Sequence, residues 1–239
     1  MAFSCAHAAV RSLAYWFYSE SCFRRKISCC TPANNGNHVG CRGFLKKLAL
    51  LPRGYTLLPP AKEARIRLVT EQEFRAAYPL IAGWVQRTLA SHAAAAKPVS
   101  SFGFSHLPQC YDAEFLASSR VVIVAKVPMP PLSAMGLARF GEFERMEARG
   151  ITYLNTYFVR AEYASDESLH FHELVHVVQW QLLGPERFLR LYADGLERLG
   201  YRNSPLEEMA YSLQHRFERE RQPFSVQAFC EQLIRGMVP

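Results

Sequence analysis

From Thr70 onward the apolar positions recur first at helical spacing, then in short β-branched runs, then at helical spacing again. Thr70-Glu71-Gln72-Glu73 has the form of a capping box, in which the Thr70 hydroxyl and the Glu73 carboxylate close a helix start. Phe74, Tyr78, Ile81, Val85 and Leu89 follow as one inward stripe, and Pro79 is expected to kink or split that helix. Residues 91–109 read as a loop. Residues 120–127 form a β-branched run, read as a strand that Pro128 and Pro130-Pro131 end. Ser133 is placed to cap a helix over residues 134–149, stopped by Gly150, and residues 151–159 then read as a second strand. The remainder is helical: residues 167–183, a break at Gly184-Pro185, residues 186–199, a helix opened by Ser204-Pro205 and running to about 221, and a last helix after Pro223. A few strands followed by a helical half is an α+β order.

Candidate chemistry changes this picture at one place. His172-Glu173-Leu174-Val175-His176 lies in the helix over residues 167–183. Positions i and i+4 share a helix face, so both imidazoles can point a nitrogen at one metal ion. Glu173 stands about a hundred degrees further round, displaced from the ligand positions but placed to take a proton from a water on the metal. Two structural histidines on an ordinary helix are the plain alternative. A lone histidine usually is that; two at ligand spacing around a carboxylate favour a metal.

A catalytic zinc takes three protein ligands and keeps one position open. The metzincin pattern needs a glycine and a histidine three and six residues after the second His, where this chain has Gln179 and Leu182. The competing arrangement takes a glutamate from a following helix, and Glu207 and Glu208 are available there. With Glu207-x-x-Ala210 downstream, the motif resembles the gluzincin clan of zinc metallopeptidases, over roughly residues 150–221. The resemblance implies a zincin-like domain, with a small sheet packed on the active-site helix before a mainly helical C-terminal half. It implies Zn²⁺ held by His172, His176 and Glu207, with Glu173 as general base, in an enzyme that cleaves peptide bonds. Glu208 is the rival third ligand, and either glutamate could simply stabilise the first turn of its helix. Tyr211 stands where thermolysin-like members carry an aspartate, so the chain departs from that subset. A donor for the developing oxyanion is also needed; Tyr211 and His215, one and two turns beyond Glu207, are the candidates, with Tyr201 in the connecting loop. His170 points elsewhere on its helix. In zincin folds the strand before the active-site helix often borders the cleft, which gives residues 151–160 a possible substrate-pairing role.

Composition bounds the remaining readings. The 239 residues are 49% apolar and 13% aromatic, as expected of a globular chain. The net charge of +7 resides in residues 1–55, which hold eight Lys/Arg and one acid. Residues 56–239 carry 20 bases and 20 acids and offer no footprint for a phosphate backbone. Five of seven cysteines also lie within the first 41 residues, so the body reads as a reduced, cytoplasmic-type domain. The organisation expected is a basic, Cys-containing, disordered extension over residues 1–55 and one zincin-like domain over 56–239. A peptide or protein substrate is the expected partner, with no specific nucleic acid and at most weak contact of the basic tail with anionic lipid. A non-catalytic zincin-like interaction module with a structural metal is the alternative function.

Overall fold

The computed structural model describes residues 69–220 and 222–237, all within the compact unit Arg65–Pro239. The expectations for residues 1–55, and for the start of the domain near Tyr55, lie outside the described residues.

Helix α1 (Glu71–His92) opens with the expected capping box: Glu73 N donates to Thr70 Oγ1 at 3.1 Å and Thr70 N to Glu73 Oε2 at 2.9 Å. Pro79 does not split this helix. It lies on the exposed face, as does Arg75 one turn earlier, so water can satisfy the carbonyl that the missing N–H leaves unbonded. Three short 3₁₀ turns and the two-residue strand β1 (Lys97–Pro98) occupy the segment read as a loop. The short helix α2 (Ala113–Ser118) leads into β2 (Arg120–Val124), which stops three residues before the expected end.

Two expectations are corrected next. Residues 134–149 contain only a 3₁₀ turn and the single-turn helix α3 (Gly141–Glu144). Glu144 accepts from both the N–H and the hydroxyl of Ser133, at 2.8 and 2.6 Å, and Gly136 takes a left-handed φ of 83°. The segment thus folds back on itself, turning Leu132, Leu137 and Phe140 inward against Phe74 and Ala77 of α1 as a separate apolar cluster. Residues 151–159 are not one strand but a hairpin of β3 (Gly150–Tyr153) and β4 (Thr156–Arg160). Its reversal passes through Leu154 at φ 58°, a conformation unusual for leucine, which hides the turn from the sequence pattern.

The sheet order is β1-β2-β4-β3, with β2 and β4 parallel and the other pairs antiparallel. Its inner face carries Val121, Tyr157 and Val159 into the main core, together with Phe171, Leu174 and Val178 of helix α4 (Glu167–Leu199). Asp166 caps α4, and Gly184 at φ 72°, ψ 164° breaks it where the Gly-Pro pair predicts. Helices α5 (Pro205–Glu220) and α6 (Val226–Met237) complete the α+β fold. Among the described residues, no helix is long and apolar enough to cross a membrane.

Candidate metal centre

Helical spacing alone stacks His172 and His176 on α4; both are buried, with Nε2 atoms 3.2 Å apart. Bringing α5 to them needs a close approach. A Cβ on Gly195 would lie 2.8 Å from Ser204 Cβ, so glycine lets the start of α5 dock on the second half of α4. That docking turns Glu207 inward, 2% exposed, and leaves Glu208 exposed, which removes Glu208 as the third ligand. Glu207 Oε2 lies 3.5 Å from His172 Nε2, and Glu207 Oε1 lies 3.4 Å from His176 Nε2.

The hydrogen bonds behind the ring decide its chemistry. Gln179 Nε2 donates to the Leu206 carbonyl at 3.0 Å, which turns Gln179 Oε1 toward His176 Nδ1 at 2.8 Å. Gln214 Nε2 donates to Ser168 Oγ and Glu218 Oε1, which turns Gln214 Oε1 toward His172 Nδ1 at 3.0 Å. An amide oxygen only accepts, so each imidazole carries a proton on Nδ1 and directs Nε2 at the centre. Two imidazole nitrogens and a carboxylate therefore converge, and Glu207 Oε2 has no hydrogen-bond partner. Such a convergence of acceptors is repulsive unless a cation lies among them.

The spacing fits a metal. Ligand atoms at about 2.0–2.1 Å from a tetrahedral ion stand roughly 3.3–3.4 Å from one another. The two Nε2 atoms are 3.2 Å apart, each lies within 3.5 Å of a different oxygen of the Glu207 carboxylate, and one donor atom from each of the three residues falls within 4.8 Å of the others. His172, His176 and Glu207 are the group of potential ligands that the described residues bring together. A proton competes for the same place: burial lowers the His176 imidazole, but the Glu207 carboxylate overrides it and raises the group to about 9. Burial likewise opposes ionisation of Glu207, yet the two imidazoles hold its carboxyl well below the usual range.

Glu173 lies beside this ring rather than in it. Thr152 Oγ1 donates to Glu173 Oε2 at 2.7 Å, while Trp180 Nε1 reaches the Thr152 carbonyl at 3.2 Å and ties α4 to β3. Burial pushes the Glu173 carboxyl up, against the pull of both histidines. Its Oε1 lies over Gly150, where a Cβ would come within 2.4 Å.

The remaining candidates separate. Tyr211 is half-buried, its ring 4.6 Å from that of His172 and covered by the Arg202 guanidinium at 4.5 Å. Tyr201 lines a cleft with Glu173, His176 and Glu207. His215 is not brought to the cluster: it is exposed, with Nδ1 3.7 Å from Glu218, because two turns of helix carry it past the buried face. His170 is a core residue whose ring meets the Tyr157 hydroxyl and the Ala164 carbonyl.

Sequence reasoning missed Tyr192, whose hydroxyl donates to Glu207 Oε1 at 2.7 Å, and the roles of Gln179, Gln214, Thr152 and Gly150. No periodicity marks these residues. A buried glutamine three positions after the second histidine is the one local signal that could have drawn attention. Comparison with protein-family models, curated proteins and solved structures finds no match for the chain.

Proposed function

We propose that the protein is a zinc-dependent hydrolase with a zincin-like domain, and within that class a metallopeptidase of the gluzincin type. The observation that carries this reading is the convergence of two Nδ1-protonated imidazoles and a buried carboxylate, with the unshared Glu173 carboxyl beside them. Among the described residues no fourth metal-ligating side chain joins the three, which suits a catalytic rather than a purely structural site. His172, His176 and Glu207 are the residues that would hold the ion. Zinc, when bound, supplies Lewis acidity and lowers the pKa of water.

The chain's own residues account for the rest. Thr152 orients the Glu173 carboxylate, and burial raises its proton affinity toward the range in which it can accept a proton and pass it to a leaving amine. Tyr201 and Tyr211, whose phenols burial keeps protonated, are donors for charge that develops on an attacked carbonyl. The cleft walls beside Glu173 and Tyr201 are largely apolar, which lowers the local polarity at these two groups.

The test is the zinc content of purified full-length protein beside its Glu207→Ala and Glu173→Gln variants, with cleavage of a mixed peptide library. The parent should hold about one zinc, Glu207→Ala should lose it, and Glu173→Gln should keep zinc while losing cleavage. A parent that takes up no zinc even on incubation with the ion would refute the metal centre. Normal cleavage by Glu173→Gln would refute the assigned base.

A further inference from the structure

The cleft that opens onto the cluster has a strongly uneven lining. Its polar groups gather at one end, where Glu173, His176, Glu207, Thr152 and Tyr201 meet. The other walls are apolar: Phe74 and Ile81 of α1, Leu132, Phe140 and Phe143 of the segment that folds back between the strands, and Leu196 of α4 beyond its break. Most of these residues precede Gly150, outside the stretch that carries the gluzincin resemblance, so the resemblance itself implies nothing about this lining.

Charge and size narrow the occupant. No lysine or arginine lines the cleft among the described residues, and its ionisable groups are the three already placed at the polar end together with tyrosine phenols. A charged group entering the apolar part would lose its hydration without gaining a counter-ion. The free volume is about 110 Å³, somewhat less than the roughly 150 Å³ of a dry cavity that accepts benzene. That is room for one aliphatic side chain. Phe143 borders this space: it is partly exposed, with its ring 5.8 Å from Tyr192 and 6.2 Å from Tyr201.

Resting on the peptidase reading above, we propose that this cleft is a specificity pocket that takes one uncharged aliphatic side chain, of leucine, isoleucine or methionine size, next to the bond presented to Glu173. Apolar contact with α1 and the 130–148 segment selects the residue, while the polar end receives the adjoining peptide group. Acidic and basic side chains are refused, and Phe143 limits the size accepted.

The test measures binding apart from turnover. Full-length, zinc-loaded protein is titrated calorimetrically with three short peptide hydroxamates that differ only in one side chain: leucine, aspartate or none (glycine). The leucine compound should bind at least about tenfold more tightly than the glycine compound, and the aspartate compound no better than glycine. Ala193 lines the cleft from α4, and Ala193→Phe, which fills it, should erase the leucine advantage while zinc content stays unchanged. Phe143→Ala, a milder change at a partly exposed site, should shift the preference toward a phenylalanine-bearing hydroxamate. Equal affinity for all three side chains in the zinc-loaded parent overturns the pocket and leaves the metal centre standing. Absence of zinc, with no hydroxamate bound, overturns the metal centre and the pocket together. A zinc-loaded protein that binds the leucine hydroxamate selectively but cleaves no peptide supports the pocket and counts against the peptidase reading alone.

Discussion

Gly150→Ala is a one-methyl perturbation that tests the placement of Glu173. An added Cβ would lie 2.4 Å from Glu173 Oε1, 2.8 Å from Cδ and 3.1 Å from Cγ. Ordinary contact begins near 3.4 Å, so the carboxylate must retreat by about 1 Å. An exposed glutamate would swing aside at no cost. Glu173 is fully buried and clamped through Oε2 by Thr152, so its retreat breaks that hydrogen bond or displaces β3. Overpacking of this kind costs about 1–3 kcal/mol, a fall of roughly 2–12 °C in melting temperature for a domain of this size. In a Glu173→Ala background the obstacle is gone, and the same methyl should cost under about 0.5 kcal/mol. A double-mutant cycle by thermal and urea denaturation reads the difference as a coupling of about 1 kcal/mol or more. Zinc content should not change, because no ligand is touched, while any hydrolysis should fall on the order of a hundredfold from misplacement of the base. Additive effects of the two substitutions would refute the contact and the close fit of Glu173 to the sheet edge.

Three further outcomes follow from the same geometry. Gln179→Leu removes the acceptor that holds the His176 proton on Nδ1, and should weaken zinc binding about 10–100-fold in chelator competition; unchanged affinity would show that the tautomer is set otherwise. Tyr192→Phe leaves Glu207 Oε1 without its hydroxyl donor and should cost about 1–2 kcal/mol in urea denaturation of the metal-free protein. Retention of full stability would remove Tyr192 from the site. Because Glu207 raises His176 to about 9, zinc must displace a proton when it binds below that pH. Calorimetry in buffers of different ionisation enthalpy should therefore detect about one proton released per zinc at pH 7.5 and progressively less above pH 9. No release at pH 7.5 would mean that His176 is neutral in the metal-free protein.

What could be read from the sequence is what depends on neighbours along the chain. The pairing of His172 with His176 follows from helical spacing, the capping box from Thr70 and Glu73, and the break in α4 from Gly184-Pro185. The long helices that flank the site were legible for the same reason, since their apolar periodicity extends over many turns. The segments misread were short. Residues 134–149 carry helix-forming residues that Ser133 and Glu144 nevertheless fold back into a wall, and β3–β4 turns at a leucine that local preference would keep extended. Glu207 was named as third ligand by resemblance, but its choice over Glu208 depends on the rotation of α5 as it docks on Gly195. The imidazole tautomers depend on Gln214, 42 residues beyond His172, and on Leu206, 27 beyond Gln179. Spacing along the chain can align two histidines; bringing the carboxyl groups of Glu207 and Glu173 and the amides that direct the imidazoles to one point requires the packing of α4, α5 and the sheet. Those positions are set by which surfaces bury one another, and no local pattern encodes that.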